Sequence, residues 1–519
     1  MTLFSDLEKV KSPTDVFKNI YKSISGTDKF AYCAGFIVCF LVNAFTYTNT
    51  CFAHDSIQLY NDSTGIENGR VLVGPLLELI NRMQIPWIIG LLACTLMGFV
   101  IVYISKIFLL KSKLAIVLCA GFVTTSEAMV SSHAYFNSVY IYILSLLFAV
   151  LAVYIIDRPK YGYFLSAAFL ILSMMCYQAY IATAVGLFIV KMLLNIYESN
   201  SKIKEQILIT VKYASVTVFS SIIYYAIWQL ILKLQNVKII KYHAYSNIGS
   251  VPSVDELFNR IKFAWSFAIQ MLYRNDMISS HPVLMFTGCI LCLIAVVSIA
   301  IKSIKKRRVF FTIVYTLTYI LSINLMYIIS GTVLYSLTVF SIIIPFLMIL
   351  YLMDNSFEIK RTAKLTTWVS LILCVTMIWG QAVCANSFYL KIKINYDNAW
   401  SYATRIIDRL EQTEGFNSDS QVVIINAKYS VLPYSDNRDI TERVKYHTRV
   451  NITYNPYLYT TAITYDDTLK WFILQEMSMN IDIKTNPPEF SELQEVKDMP
   501  IFPAEDSIKI IDGVFVVKV

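Results

Sequence analysis

Ten apolar runs divide most of this chain, at 30–49, 86–105, 114–129, 138–156, 163–196, 213–232, 283–301, 309–329, 335–353 and 365–384. Each approaches the length of roughly 20 residues that a helix needs to cross a bilayer. The run 163–196 is too long for one ordinary span. It is interrupted at Tyr177-Gln178-Ala179-Tyr180, which predicts two short helices joined by a tight turn. The pattern therefore predicts about eleven membrane helices. Two connections are long, 50–85 and 233–282. In the first, Leu72, Leu76, Leu79, Ile80 and Met83 recur at helical spacing, and in the second Leu257, Phe258, Ile261, Trp265, Ala268 and Leu272 follow a Ser253/Glu256 capping box. Both read as helices lying in the membrane interface.

After residue 384 the pattern changes. Ala399, Ala403, Ile406, Ile407 and Leu410 predict a helix over 397–415, residues 421–425 read as a buried strand, and 507–519 read as a hairpin about Asp512-Gly513. The predicted architecture is an all-α polytopic membrane bundle with a small C-terminal α/β domain. A polar segment at 1–28 precedes a core at 29–386, whose outer loops are 50–85 and 233–282, and the domain occupies 387–519. Residues 1–28 show no signal-peptide pattern, and the first apolar run is long enough to stay as a span.

Composition agrees: 56% of the 519 residues are hydrophobic and 15% are charged, against about 25% charged in soluble domains. The net charge of +8 does not indicate a nucleic-acid partner, because the basic residues cluster in short loops. Lys106, Lys111 and Lys113, then Arg158 and Lys160, Lys202 and Lys204, the group 302–308, and Lys360, Arg361 and Lys364 mark every second connection. By the positive-inside rule these loops are cytoplasmic. The N-terminus joins them, and an odd number of spans places the C-terminal domain outside. Splitting 163–196 is what keeps this alternation intact. Lys238, Lys241, Arg260, Lys262 and Arg274 fall in the long second outer loop, where charge does not set orientation. The ten cysteines lie in or beside apolar segments and read as small buried hydrophobes.

The first outer loop carries the densest candidate chemistry: His54, Asp55, Asp62, Glu67 and Arg70. Carboxylates beside an arginine, at the mouth of a helix bundle, are what is needed to take a proton from a sugar hydroxyl next to a lipid-linked phosphate. Glu127 and His133 flank the outer end of the third span, where an ionisable group is a functional candidate by default. Tyr177 and Gln178 break an apolar run at the outer face, where a sugar could be read.

Three pieces together resemble the glucosyl transferase II family. They are His54-Asp55 with Gly69-Arg70 fifteen residues on, the turn Cys176-Tyr177-Gln178-Ala179-Tyr180-Ile181, and the tail 498–503 with 508–518. The order and spacing of these pieces extend the resemblance over nearly the whole chain. It implies a GT-C type glycosyltransferase of the bacterial cytoplasmic membrane. Such enzymes move a sugar, usually glucose, from undecaprenyl phosphate to a surface polysaccharide on the outer face, with inversion. Where the family often has two adjacent acids, this chain has Asp55-Ser56. Asp55 is then the expected base, with Asp62 a second acid in a segment that also suits a turn. His54 would tune Asp55, Arg70 would hold the phosphate, and Glu127, His133, Tyr177, Gln178, Lys241 and Arg274 complete the substrate-binding set. The expected partners are the lipid carrier and the acceptor glycan, with a carrier-sugar synthase and a flippase in the same pathway. No further cofactor is implied, and a divalent metal is left open because no ligand spacing defines a site. The rival classes are a surface-polysaccharide polymerase or ligase and a lipid-linked-glycan transporter, and beyond these a non-catalytic scaffold. Against a transporter stands the lack of an inverted repeat.

Overall fold

The computed structural model describes residues 12–53, 56–57, 65–198, 202–239, 252–274, 282–331, 336–355, 360–425, 462–463 and 466–519. It is mostly helical, with a small sheet near the C-terminus. Helix α1 (Pro13–Ser23) precedes the first span, α2 (Gly26–Thr48). Then follow α3 (Pro86–Ile107), α4 (Lys113–Thr125), α5 (Glu127–Ala134), α6 (Val139–Ile155), α7 (Gly162–Cys176), α8 (Tyr180–Glu198) and α9 (Ile203–Gln235). The second half contributes α10 (Val254–Arg274), α11 (Pro282–Lys305), α12 (Val309–Ile323), α13 (Leu325–Ser330), α14 (Ile344–Asn355) and α15 (Lys360–Glu411). Among the described residues, seven helices are long and apolar enough to cross a membrane, or eight if the bent pair α4 and α5 is one span.

The run 163–196 does divide, into α7 and α8. Tyr177 is extended (φ −160°, ψ 112°) and ends α7. The span read at 114–129 divides as well. The Ser126 side chain leaves the helix and caps α5, and the two helices meet at 46°. The run 309–329 breaks at Asn324, where α13 begins.

Three expectations needed correction. The interfacial helix read at 72–83 reduces to Val73–Glu78, because Asn81 and Arg82 take positive φ and end it. The capping box before α10 is half made: the Ser253 hydroxyl accepts the Glu256 N–H at 3.2 Å, but the Glu256 carboxylate pairs with Arg260. Finally, the last span and the helix read at 397–415 are one 52-residue helix, α15. No Gly or Pro interrupts 381–414, so the backbone has no reason to stop where the side chains turn polar.

The sheet sits at the end of α15. Strands β1 (Gln421–Ile425), β2 (Asp482–Thr485), β3 (Ile508–Ile511) and β4 (Val514–Lys518) lie in the order β2-β1-β4-β3. β1 runs parallel to β2 and β4, and β3–β4 is the hairpin about Asp512-Gly513. β1 is buried on both faces, as a central parallel strand must be. Val423 and Ile425 pack with Val496 and Met499. Val422 and Ile424 belong to a core that runs on through Ile406 and Leu410 of α15 into the membrane bundle.

Candidate functional site

The two ends of the bundle are built differently. At one end the basic loops meet acids at the helix termini. Lys106 pairs with Asp28 at 2.9 Å, and Lys191 and Lys212 pair with Asp157 at 2.6 and 2.9 Å. Asp354 accepts the backbone N–H groups of Lys111 and Ser112, and Lys306 donates to the Tyr197 carbonyl. The basic loops seen in the sequence therefore share one end of the molecule.

The opposite end gathers the first long loop. On one side of it Phe52 and Ala53 are buried, with the Phe52 ring between Phe136 (5.8 Å) and Tyr396 (5.7 Å). Ser56 is fully buried against the end of α5. Its hydroxyl accepts the Phe136 N–H at 3.0 Å and its carbonyl accepts from Asn137 and Gln84. On the other side, residues 65–70 form a compact turn whose Gly65 carbonyl accepts the N–H groups of Asn68 and Arg70. Side chains from the α7–α8 turn and from α9 hold its carbonyls. Gln178 donates to Asn68 at 2.6 Å, Tyr224 to Gly69 at 2.9 Å and Trp228 to Ile66 at 2.7 Å, and Gln178 also donates to the Tyr224 hydroxyl. Gly65 and Gly69 have φ of 74° and 77°. At Gly69 a Cβ would also collide with the Tyr224 hydroxyl and the Gln178 amide, so both conformation and space require glycine. The clamp sets Arg70 with its guanidinium carbon 4.9 Å from the centre of the Tyr177 ring.

Glu127 opens α5, half-buried, with the Ser131 hydroxyl 3.5 Å from its carboxylate; Ser131 in turn meets Ser336. His133 lies at the far end of α5 and is buried. Its Nδ1 is 2.7 Å from the Met129 carbonyl and its Nε2 is 2.9 Å from the Tyr47 hydroxyl. A carbonyl only accepts, so Nδ1 carries the proton and Nε2 accepts from Tyr47. Around this pair stand groups that the sequence reading missed. Tyr389 donates to Asn43 with its ring 5.9 Å from His133, and further along α15 Gln381 accepts from Thr125 of α4 at 2.8 Å. The signal was available, since Asn43 and Gln381 are polar residues inside the apolar runs 30–49 and 365–384.

Arg70, Tyr177 and Gln178 thus come together, and Glu127 and His133 share α5, whose end holds Ser56. His54, Asp55, Asp62 and Lys241 lie outside the described residues, and of Arg274 only the backbone at the end of α10 is described. Among the described residues no three His, Cys, Asp or Glu side chains group to hold a metal ion. The C-terminal domain reaches the same region: Tyr396 of α15, in contact with Phe52, donates to Glu476 at 2.5 Å. Burial pushes the Glu476 carboxyl above its ordinary range, and the Tyr396 bond offsets part of that.

The fold and this polar end define a polytopic membrane protein with a cluster of polar and ionisable side chains at one end of a helix bundle. Residues 20–346 match the model of the family Glucosyl transferase GtrII, and the chain belongs to that family. It is therefore a membrane glucosyltransferase by family. The matched stretch contains α2 to α13 and the whole site except the groups on α15 and Glu476; the tail motif 498–518 lies beyond it. Neither a curated protein nor a solved structure matches the chain.

Proposed function

We propose that this protein is a GT-C type enzyme with eleven spans, the shorter apolar helices α7 and α12 and the segment Phe340–Asn355, which ends in α14, crossing with the rest. It sits in a bacterial cytoplasmic membrane with its basic end inside. On the outer face it moves glucose from undecaprenyl phosphate to a hydroxyl of a surface polysaccharide. The Asp55 carboxylate takes the hydroxyl proton as that oxygen attacks the anomeric carbon from the side opposite the phosphate. The bond from that carbon to the phosphate oxygen breaks, its electron pair leaves with the lipid phosphate, and the anomeric centre inverts. Arg70 stabilises the charge that the phosphate regains. Asp62 and His54 assist Asp55, while Glu127, Tyr177, Lys241 and Arg274 contact the sugar or the carrier. Gln178 and His133, whose polar atoms hold the loop and Tyr47, serve chiefly to position their neighbours. The C-terminal domain, lying outside, caps the site and takes part in choosing the acceptor.

One observation carries this reading. The residues that flank Asp55 and those that lead into Arg70 are both pinned to helix ends, at the end of the bundle away from the basic loops. That is where a membrane-embedded donor and an external acceptor can meet. The test supplies the purified, bilayer-reconstituted enzyme with radiolabelled polyprenyl-phosphate glucose and cell-envelope glycan. Transfer by the native enzyme and its loss in Asp55→Asn are expected. A flippase or polymerase would be indifferent to that substitution, and absence of transfer from any lipid-linked sugar would overturn the reading.

A further inference from the structure

Helix α1 takes no part in the site. At 100° per residue, Val16, Phe17, Ile20, Tyr21 and the following Ile24 occupy one continuous arc of about 140°. Asp15, Lys18, Asn19 and Lys22 lie on the remaining face. No residue of α1 is buried, and Phe17 and Tyr21 are 72% and 64% exposed. Eleven residues make a helix that is marginal by itself in water. Its apolar arc therefore calls for a covering surface.

The chain says where that surface lies. Ser12 caps α1 by accepting the Asp15 N–H at 3.3 Å. Ile24 is extended and stops the helix, and Ser25 at once caps α2 by accepting the Asp28 N–H at 3.0 Å. Two residues thus separate α1 from the span. The Lys29 ammonium sits 3.6 Å over the Tyr21 ring and ties α1 to the first turn of α2. That turn is at the ionic end of the bundle, where Asp28 meets Lys106. An amphipathic helix tethered so closely to a span end is held at the level of the lipid headgroups.

We propose that α1 lies on the bilayer at the basic end of the molecule. Its apolar arc enters the boundary between headgroups and acyl chains, and Lys18 and Lys22 engage the phosphates of anionic lipids. The occupant is the lipid surface because the polar face carries two lysines against one aspartate and only two residues tether the helix to the end of the span.

The test reads backbone hydrogen exchange over 13–23 in the full-length protein, in nanodiscs with and without an anionic lipid fraction. Exchange is expected to be slower in the anionic discs by roughly 10- to 30-fold, the weight of two lysines near such a surface. The difference should shrink in high salt and vanish in the double variant Phe17→Glu, Ile20→Glu. Exchange of α2, measured in parallel, shows that the variant is folded. Equal exchange in the two kinds of disc would overturn the proposal. So would protection that survives the double variant, or full protection in detergent, which would mean that protein rather than lipid covers the arc.

Discussion

The two ends of the bundle solve different problems. The basic end is held by part-exposed ion pairs such as Lys106–Asp28, each worth little by itself. What matters there is the sum of charge, which fixes orientation and tolerates change at any one position. The opposite end is held by neutral hydrogen bonds from buried and half-buried side chains to loop carbonyls, as from Gln178, Tyr224 and Trp228. Losing one of these leaves a buried group without its partner. Charge that can be spread over many loops says which way the protein faces, whereas position that matters to a fraction of an ångström is set by groups with no freedom to move.

That contrast can be broken by substitution, and the expected effects span a wide range. Asp55→Asn should act most strongly, lowering turnover with lipid-linked glucose by about 10²–10⁴-fold while leaving membrane insertion and melting intact. Gly69→Ala comes next. It forces a side chain into a left-handed position against Tyr224 and Gln178, displaces Arg70, and should reduce turnover by about 100-fold. A turnover within twofold of native would show that the 65–70 turn does not position the chemistry. Trp228→Phe removes one bond to the Ile66 carbonyl and should cost about 1 kcal/mol in thermal unfolding, with a smaller loss of turnover than Gly69→Ala. Glu476 should give a pH effect. Its raised carboxyl pKa means that the folded protein binds this proton more tightly than the unfolded chain does. Stability therefore falls as pH climbs from the ordinary carboxylate range through the raised value. Glu476→Gln should flatten that part of the stability profile. Lys106→Gln, at the ionic end, should change stability by less than about 1 kcal/mol and leave transfer untouched; a large loss of activity would erase the distinction between the ends.

Much of the scaffold was legible in the sequence because a bilayer admits few solutions. Apolar runs of span length had to be helices, and Tyr177-Gln178 inside a run marked a turn. The hairpin at Asp512-Gly513 and the strand 421–425 were legible because turn chemistry and β-branched clustering are local signals. The fate of α15 was not. Polar side chains after residue 384 suggested the end of a helix, although they report only a change of surroundings. The absence of Gly and Pro, which reports on the backbone, was the better guide. The clamp on 65–70 was hidden for another reason. Gln178 looked like a reader of sugar hydroxyls, and nothing local could show that its amide hydrogens meet a carbonyl 110 residues away. The pairing of His133 with Tyr47 was hidden likewise, since it joins residues 86 positions apart.

At 1.5 Å per residue the 52 residues of α15 extend about 78 Å, more than twice the depth of a bilayer's hydrocarbon core at about 30 Å. Such a rod is gripped by the spans along its first part and carries the sheet on the turns beyond Tyr396. A slight change of tilt within the membrane becomes a sideways sweep of the whole domain, with Tyr396 and its hold on Phe52 near the pivot. The position of the sheet is thereby tied to the tilt of the spans, without any segment having to unfold.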